Sequence, residues 1–390
     1  MMPLLKLLIL LLIFFSTALV ADELTGFHFA ALPNASYKDG EGFWGGANVF
    51  LFQYGDGHIQ PYVWNTTIGY KQSTEGAIST YIFHDMPDRL GRNSRLSLYA
   101  EYKRYLVADY YGLGNDTPYR PELIDPDHPE FINTYYYSYR QEWPAFFVFL
   151  QLPSGIEHTR FFFSLGLYQR SIETRDGPNK LAQDRPLGIQ GGRTSLYQAG
   201  LIYDTRDQEA VPTQGVWSEM LVEHSAAFLG SDYDYVRLTL TDRRYVTLRP
   251  RVVYAQRVVV EPIWGNVPFY DMATINSSYE RHQGLGGAQS LRGVPYLLFV
   301  GQHKLLGNFE LRFETLNLTI LNQPLTFYIH TFVDAGRVWL KNDPLTLANI
   351  HHSYGAGLHV RWKKDLVGAI DIGRSQYSDM ALYVTFRNLF

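Results

Sequence analysis

Short runs in which apolar and polar residues alternate strictly, with charges on the polar side, constrain this chain more than any other feature. From Phe309 onward, Phe309, Leu311 and Phe313 share one face of a strand while Glu310, Arg312 and Glu314 share the other. Burying both faces in an ordinary sandwich would strand those charges, so one face meets apolar surroundings and the other meets water. The code then recurs. Leu325, Phe327, Ile329 and Val333 oppose Tyr328, His330, Asp334 and Gly336; Tyr354, Ala356, Leu358, Val360 and Trp362 oppose Gly355, Gly357, His359 and Arg361; Leu382, Val384, Phe386 and Phe390 oppose Tyr383, Thr385 and Arg387.

Two architectures accommodate such strands. A soluble barrel or sandwich turns its apolar face inward, whereas an outer-membrane barrel inverts the arrangement, with lipid outside and a wet lumen within. Periodicity alone does not choose between them. A helical membrane protein is excluded, because a spanning helix needs about 18 to 20 apolar residues in succession. The best uncharged stretch, Thr315 to Val333, is broken by Asn317, Asn322, Gln323 and Pro324. Three further features favour the membrane barrel. Lys6, the apolar run Leu7 to Phe15 and the small residues Ser16, Ala18 and Ala21 read as a secretory signal over 1–21. Tyrosine (29), phenylalanine (24) and tryptophan (7) make up 15% of the chain, enough to furnish interfacial girdles. Phe390 ends the chain on an apolar strand. The expected fold is all-β: a transmembrane antiparallel β-barrel over 22–390, in the bacterial outer membrane and in contact with its lipids.

With no cysteine, the chain builds neither disulfides nor thiolate metal sites. A net charge of −4 supplies no basic excess for phosphates, so no nucleic-acid partner is expected. Turn signals divide the chain into about sixteen strands, an even number as in single-chain bacterial barrels. Among them are 215–229, 301–314, 324–341, 352–363, 365–374 and 380–390. With both termini periplasmic, the long connections near 107–133, 173–194 and 264–300 fall on the outer side. These strands leave no length for a second domain.

The connection from Trp264 to Val300 carries the most informative string: Gly284, Gly286 and Gly287, then Ser290, Leu291, Arg292, Gly293, Val294, Pro295 and Tyr296. It resembles the long late extracellular loop of the BamA and TamA superfamily, the bacterial surface-antigen barrels. There a Gly-rich lead runs into a Val/Ile-Arg-Gly-Phe/Tyr tetrad. Glu310 on the following strand, and Phe332, Asp334 and Gly336 on the next, are similar to the family's acidic position and Phe-x-Asp-x-Gly pattern. Tyr203-Asp204-Thr205-Arg206-Asp207, with Pro212, Thr213 and Gly215, resembles its strand, periplasmic turn and strand signature. Tyr110, Tyr111, Gly112, Gly114 and Asn115 look like another recurring stretch. Val294 departs from the expected aromatic, so ring packing there is either lost or supplied by Tyr296.

The resemblance implies a long extracellular loop folded into the lumen, where Arg292 bridges Glu310 and Asp334 by charge-assisted hydrogen bonds. Gly293 would permit the close approach. It further implies insertion or translocation of outer-membrane proteins or lipids at a weak seam between first and last strands. Unfolded outer-membrane proteins would be the substrates, or a separate periplasmic partner would replace the family's POTRA domains. A passive loop-gated channel is the alternative. Phe386 and Phe390 resemble a C-terminal assembly signal, from which Asn388 departs. No catalytic residue, cofactor or metal is expected. Gly284-Leu285-Gly286-Gly287 lacks the strand-before, helix-after setting of a dinucleotide loop, and no Gly-x-Ser-x-Gly elbow is present. His351-His352 is expected in a solvated loop without an acidic companion.

Overall fold

The computed structural model describes residues 25–385 except 60, 279–280, 321–322 and 363–365. The signal expected over 1–21 and the terminal residues Phe386, Asn388 and Phe390 lie outside the described residues. The strands are β1 Phe27–Lys38, β2 Gly42–Gln53, β3 Trp64–Ser73, β4 Ile78–Pro87, β5 Arg95–Asp109, β6 Ser138–Pro153, β7 Thr159–Thr174 and β8 Gly191–Asp204. They continue with β9 Gly215–Ser225, β10 Tyr235–Arg249, β11 Val252–Glu261, β12 His303–Ile320, β13 Gln323–Trp339, β14 His351–Trp362, β15 Leu366–Ser375 and β16 Ser378–Thr385. Pro262 has no N–H for the ladder, and β11 resumes beyond it as Ile263–Gly265, paired with the start of β10. Each strand pairs antiparallel with the next, from β1 with β2 through β15 with β16.

The inside-out distribution of polarity is direct. On β12, Lys304, Asn308, Glu310 and Arg312 point inward and are buried, while on β13 His330 and Asp334 do the same between the outward Ile329 and Val333, each about half exposed. Leu165 and Leu167 on β7 and Leu382 and Val384 on β16 are likewise exposed. A soluble protein would bury those leucines and solvate those charges. Here the outward band suits hydrocarbon. Among the described residues no helix is long and apolar enough to cross a membrane.

The β8–β9 turn shows that the sheet is rolled. Glu209 in that turn meets Arg95 at the start of β5 at 3.1 Å. Two residues on, Val211 packs with Tyr328 of β13 and Val367 of β15. In a sixteen-strand sheet β5 and β13 lie on opposite arcs, so the turn forms a chord across one end of the barrel. Asp207 fastens it by accepting from the Thr213 N–H at 2.9 Å. At the other end, the stretch Tyr110 to Asn115 caps the mouth. Gly114 N–H donates to the Val300 carbonyl at 2.8 Å, and Asn115 bonds Asn349 and Val338.

Three departures from the sequence reading have local causes. β12 runs to Ile320 rather than 314 because a register shift between Glu314 and Leu316 reverses the phase and turns Leu316, Leu318 and Ile320 outward. β9 stops at Ser225 rather than 229, where Ala227–Leu229 winds into a 3-10 turn closed by Gly230 at φ +84°. Aromatics are also not confined to the lipid boundary. Tyr110, Tyr139, Phe147, Phe149, Phe162, Tyr168, Phe269 and Tyr270 form an apolar cluster enclosed by the barrel.

Candidate functional site

The chain between β11 and β12 turns down into the barrel and is tied to its wall along its length. Asp271 accepts from the hydroxyls of Tyr168 on β7 and Tyr235 on β10 at 2.6 and 3.0 Å. Ser278 bonds Glu219 and Arg281 bonds Glu223, both on β9. Glu261 accepts from the Asn276 N–H at 2.7 Å and from Lys304 at 2.9 Å. The Gly284 to Val300 segment then closes over an apolar cushion of Leu285, Leu291, Val294, Leu298, Phe299, Leu306 and Val338.

Arg292 lies within this contact, with no exposed side-chain surface. Its Nε and Nη2 donate to the two carboxylate oxygens of Asp334 at 2.9 Å each, a fork-to-fork pair. Nη1 reaches Glu310 at 2.8 Å and Asp371 at 3.4 Å, and the Arg292 backbone N–H adds a bond to Asp334 at 3.1 Å. The face of Phe332 lies 3.5 Å from the guanidinium carbon, so the cation is stacked as well as paired. Burial alone would weaken its charged form, and the Asp334 and Glu310 carboxylates beside it hold its pKa above the ordinary guanidinium value.

The carboxylates are themselves oriented. Glu310 turns its second oxygen to Arg312 at 2.8 Å, and Asp334 accepts from the Asn308 amide at 2.8 Å. Cross-strand register explains the grouping, since Asn308 pairs with Asp334 and Glu310 with Phe332. Gly355 opposite Phe332 leaves the ring its space, because a Cβ there would stand 2.4 Å from Phe332 Cζ.

Of the other residues singled out in the sequence, Leu291 and Val294 are buried in the cushion, and Gly336 lies beneath it with Leu285 close above. Gly293, at φ +98°, presses against the backbone of Gly373 and Arg374 on β15. Its N–H donates to the Tyr383 hydroxyl at 2.9 Å, and its carbonyl accepts from Ser375 at 2.6 Å. Tyr296 does not replace the missing ring, being 41% exposed; the ring at the motif is Phe332 on the wall. His351-His352 opens β14 instead of lying in a loop, and His351 stacks on Phe299 at 3.8 Å while bonding the Asn115 carbonyl at 2.8 Å.

The Omp85 superfamily domain matches residues 37–370. The chain belongs to that superfamily. Among solved structures, this Omp85 barrel is similar to BamA from Haemophilus ducreyi lacking POTRA domains 1–3, with a TM-score of 0.57 and 14% identity over 93% of this chain and 70% of that one. It is also similar to CdiB from Escherichia coli, with a TM-score of 0.54 and 13% identity over 95% of this chain and 63% of that one. The chain thus spans about two thirds of the length of either structure. At these identities the likeness is one of fold. No curated protein matches the sequence.

Several participants in this Omp85 site escaped sequence reasoning. Asp371, a third carboxylate beside Arg292, lies between the outward Ile370 and Ile372, and that parity alone marks it as facing the lumen. His330 and His359 carry the same parity signal. What parity does not reveal is that all three meet at one height. Tyr383 is the last contributor, an inward tyrosine on β16 that holds the loop from the last described strand.

Proposed function

We propose that this chain is an integral bacterial outer-membrane barrel that assists insertion or translocation of other envelope components, using its wall rather than its bore. The observation that carries this reading is the fully buried Arg292 held between Glu310 and Asp334, which seats the long loop inside the lumen. Among the described residues the seated loop takes up lumen space, whereas strand edges at a seam would offer unpaired backbone groups to an incoming β-strand. Outer-membrane lipids surround the apolar band, and the partners are unfolded outer-membrane proteins or a periplasmic protein that delivers them. The pinned loop acts as a structural brace rather than as a catalytic triad.

Purified protein in liposomes, presented with an unfolded barrel substrate, should accelerate its insertion over protein-free liposomes. Equal rates with and without the protein, at confirmed reconstitution, would remove autonomous insertase activity. The ionised lumen wall, where Arg237, Glu223 and Glu261 are all fully buried, also suits a passive channel gated by the loop. The two readings separate in planar bilayers. Arg292→Ala should raise single-channel conductance several-fold by loosening the plug. A wild-type pore that is already large and unaffected by the substitution would instead indicate a simple porin.

A further inference from the structure

Three lumen residues beside the Arg292 site converge without satisfying one another. His330 on β13 and His359 on β14 both direct Nε2 at a single oxygen of Asp371 on β15, at 3.2 and 3.5 Å. Neither ring nitrogen of His330 has a hydrogen-bond partner among the described residues, nor has that Asp371 oxygen, although all are buried. Leaving such groups unpaired is costly, and a cluster of them calls for a resident. The two imidazoles lie 4.1 Å apart between ring centres, tilted by 46°. The donor atoms of all three residues fall within 4.8 Å of one another.

The strands are built to allow this. Gly357 is the cross-strand partner of both His330 and Asp371, so the two side chains meet above it. A Cβ at 357 would stand 2.1 Å from the Asp371 oxygen and 2.4 Å from His330 Cε1. Glycine therefore keeps the gap open.

We propose that His330, His359 and Asp371 form a binding site for one divalent transition-metal ion, with Zn²⁺ the best match. Two imidazoles and a carboxylate are a recognised Zn²⁺ donor set, with a fourth position left for water. Bonds of about 2.0–2.1 Å in a tetrahedron place ligand atoms about 3.3 Å apart, which is the spacing of the two His to Asp contacts and is poorly directed for hydrogen bonds. The second Asp371 oxygen faces Arg292 at 3.4 Å, so a guanidinium orients the ligating carboxylate from behind. Glu310, Asp334 and Asp371 are matched by the guanidiniums Arg292, Arg312 and Arg257, the last bonded to Asn308, so the cluster is near charge balance before the ion enters and two neutral imidazoles complete its donor set. Because the ligands come from three neighbouring strands, no sequence spacing announces them, and the sequence reading expected no metal. The site stands on this cluster alone and does not depend on what the barrel handles.

The test is metal content of the full chain in detergent, stripped with chelator, incubated with Zn²⁺ and desalted. The expected result is about one Zn²⁺ per folded chain, falling to near zero in His330→Gln and His359→Gln, with His352→Ala unchanged as a control away from the cluster. Folding of each variant is followed by heat-modifiable migration. Should both glutamine variants fail to fold, Co²⁺ added to the stripped wild type decides. Intense visible absorption typical of a tetrahedral site supports the proposal, and the weak spectrum of six-coordinate Co²⁺ overturns it. Wild-type protein that retains no zinc, or folded glutamine variants that retain all of it, likewise overturns the site.

Discussion

Asp334→Ala should destabilise the seated loop by about 3 to 5 kcal/mol, the cost typical of leaving a buried charge without its partner. The size follows from what Asp334 does. It accepts both arms of the Arg292 fork, the Arg292 backbone N–H and the Asn308 amide. Removing it leaves a fully buried guanidinium with only Glu310 and the longer contact to Asp371. The loop should lift rather than tolerate this. Proteolysis within 284–298 of the reconstituted protein, and the temperature at which it loses its compact migration, report the change. Asp379→Ala, which removes an exposed pair with Arg374, should shift neither by more than about 0.5 kcal/mol. Equal behaviour of the two variants would mean that Arg292 does not hold the loop.

Gly293→Val should have an effect of similar size through sterics alone. At φ +98° a β-branched residue is strained by about 1 to 3 kcal/mol. Its Cβ would also sit 2.8 Å from the backbone nitrogen of Arg374, where overpacking adds about 1 to 3 kcal/mol. Two companions separate the terms. Gly91→Ala, at φ +106° with nothing within 4 Å, isolates the backbone strain in an open turn. Gly373→Ala tests the contact from the opposite side, where a Cβ would meet the Arg292 carbonyl carbon at 2.7 Å. Protease sensitivity of the loop should rise for Gly293→Val and Gly373→Ala but not for Gly91→Ala. Because Gly373 has an ordinary φ, a rise for Gly293→Val without one for Gly373→Ala would assign the effect to φ and not to the close approach.

The cylinder was legible because a strand facing lipid on one side and water on the other writes its orientation into every second residue. Phe309, Glu310, Leu311 and Arg312 declare their faces without help from the rest of the chain. The code failed where geometry broke parity, as at the Glu314 to Leu316 register shift, which hid the end of β12. Arg292, Glu310 and Asp334 were found by their place in a family pattern. Asp371, His330 and His359 were not, because parity assigns a residue to a face and says nothing of its height. Their meeting depends on the stagger of β13, β14 and β15 and on the gap at Gly357. His351 was misplaced for a related reason: its partners, Phe299 and the Asn115 carbonyl, come from loops remote in sequence.

The chord drawn by Glu209 and Val211 across one mouth, together with the cap at Asn115 over the other, has a consequence for the cell that carries the protein. Segments of its own chain reach across the cylinder at both ends, so a bulky hydrophilic solute entering either mouth would meet protein there. On the function proposed above, cargo would therefore pass between strands rather than along the axis.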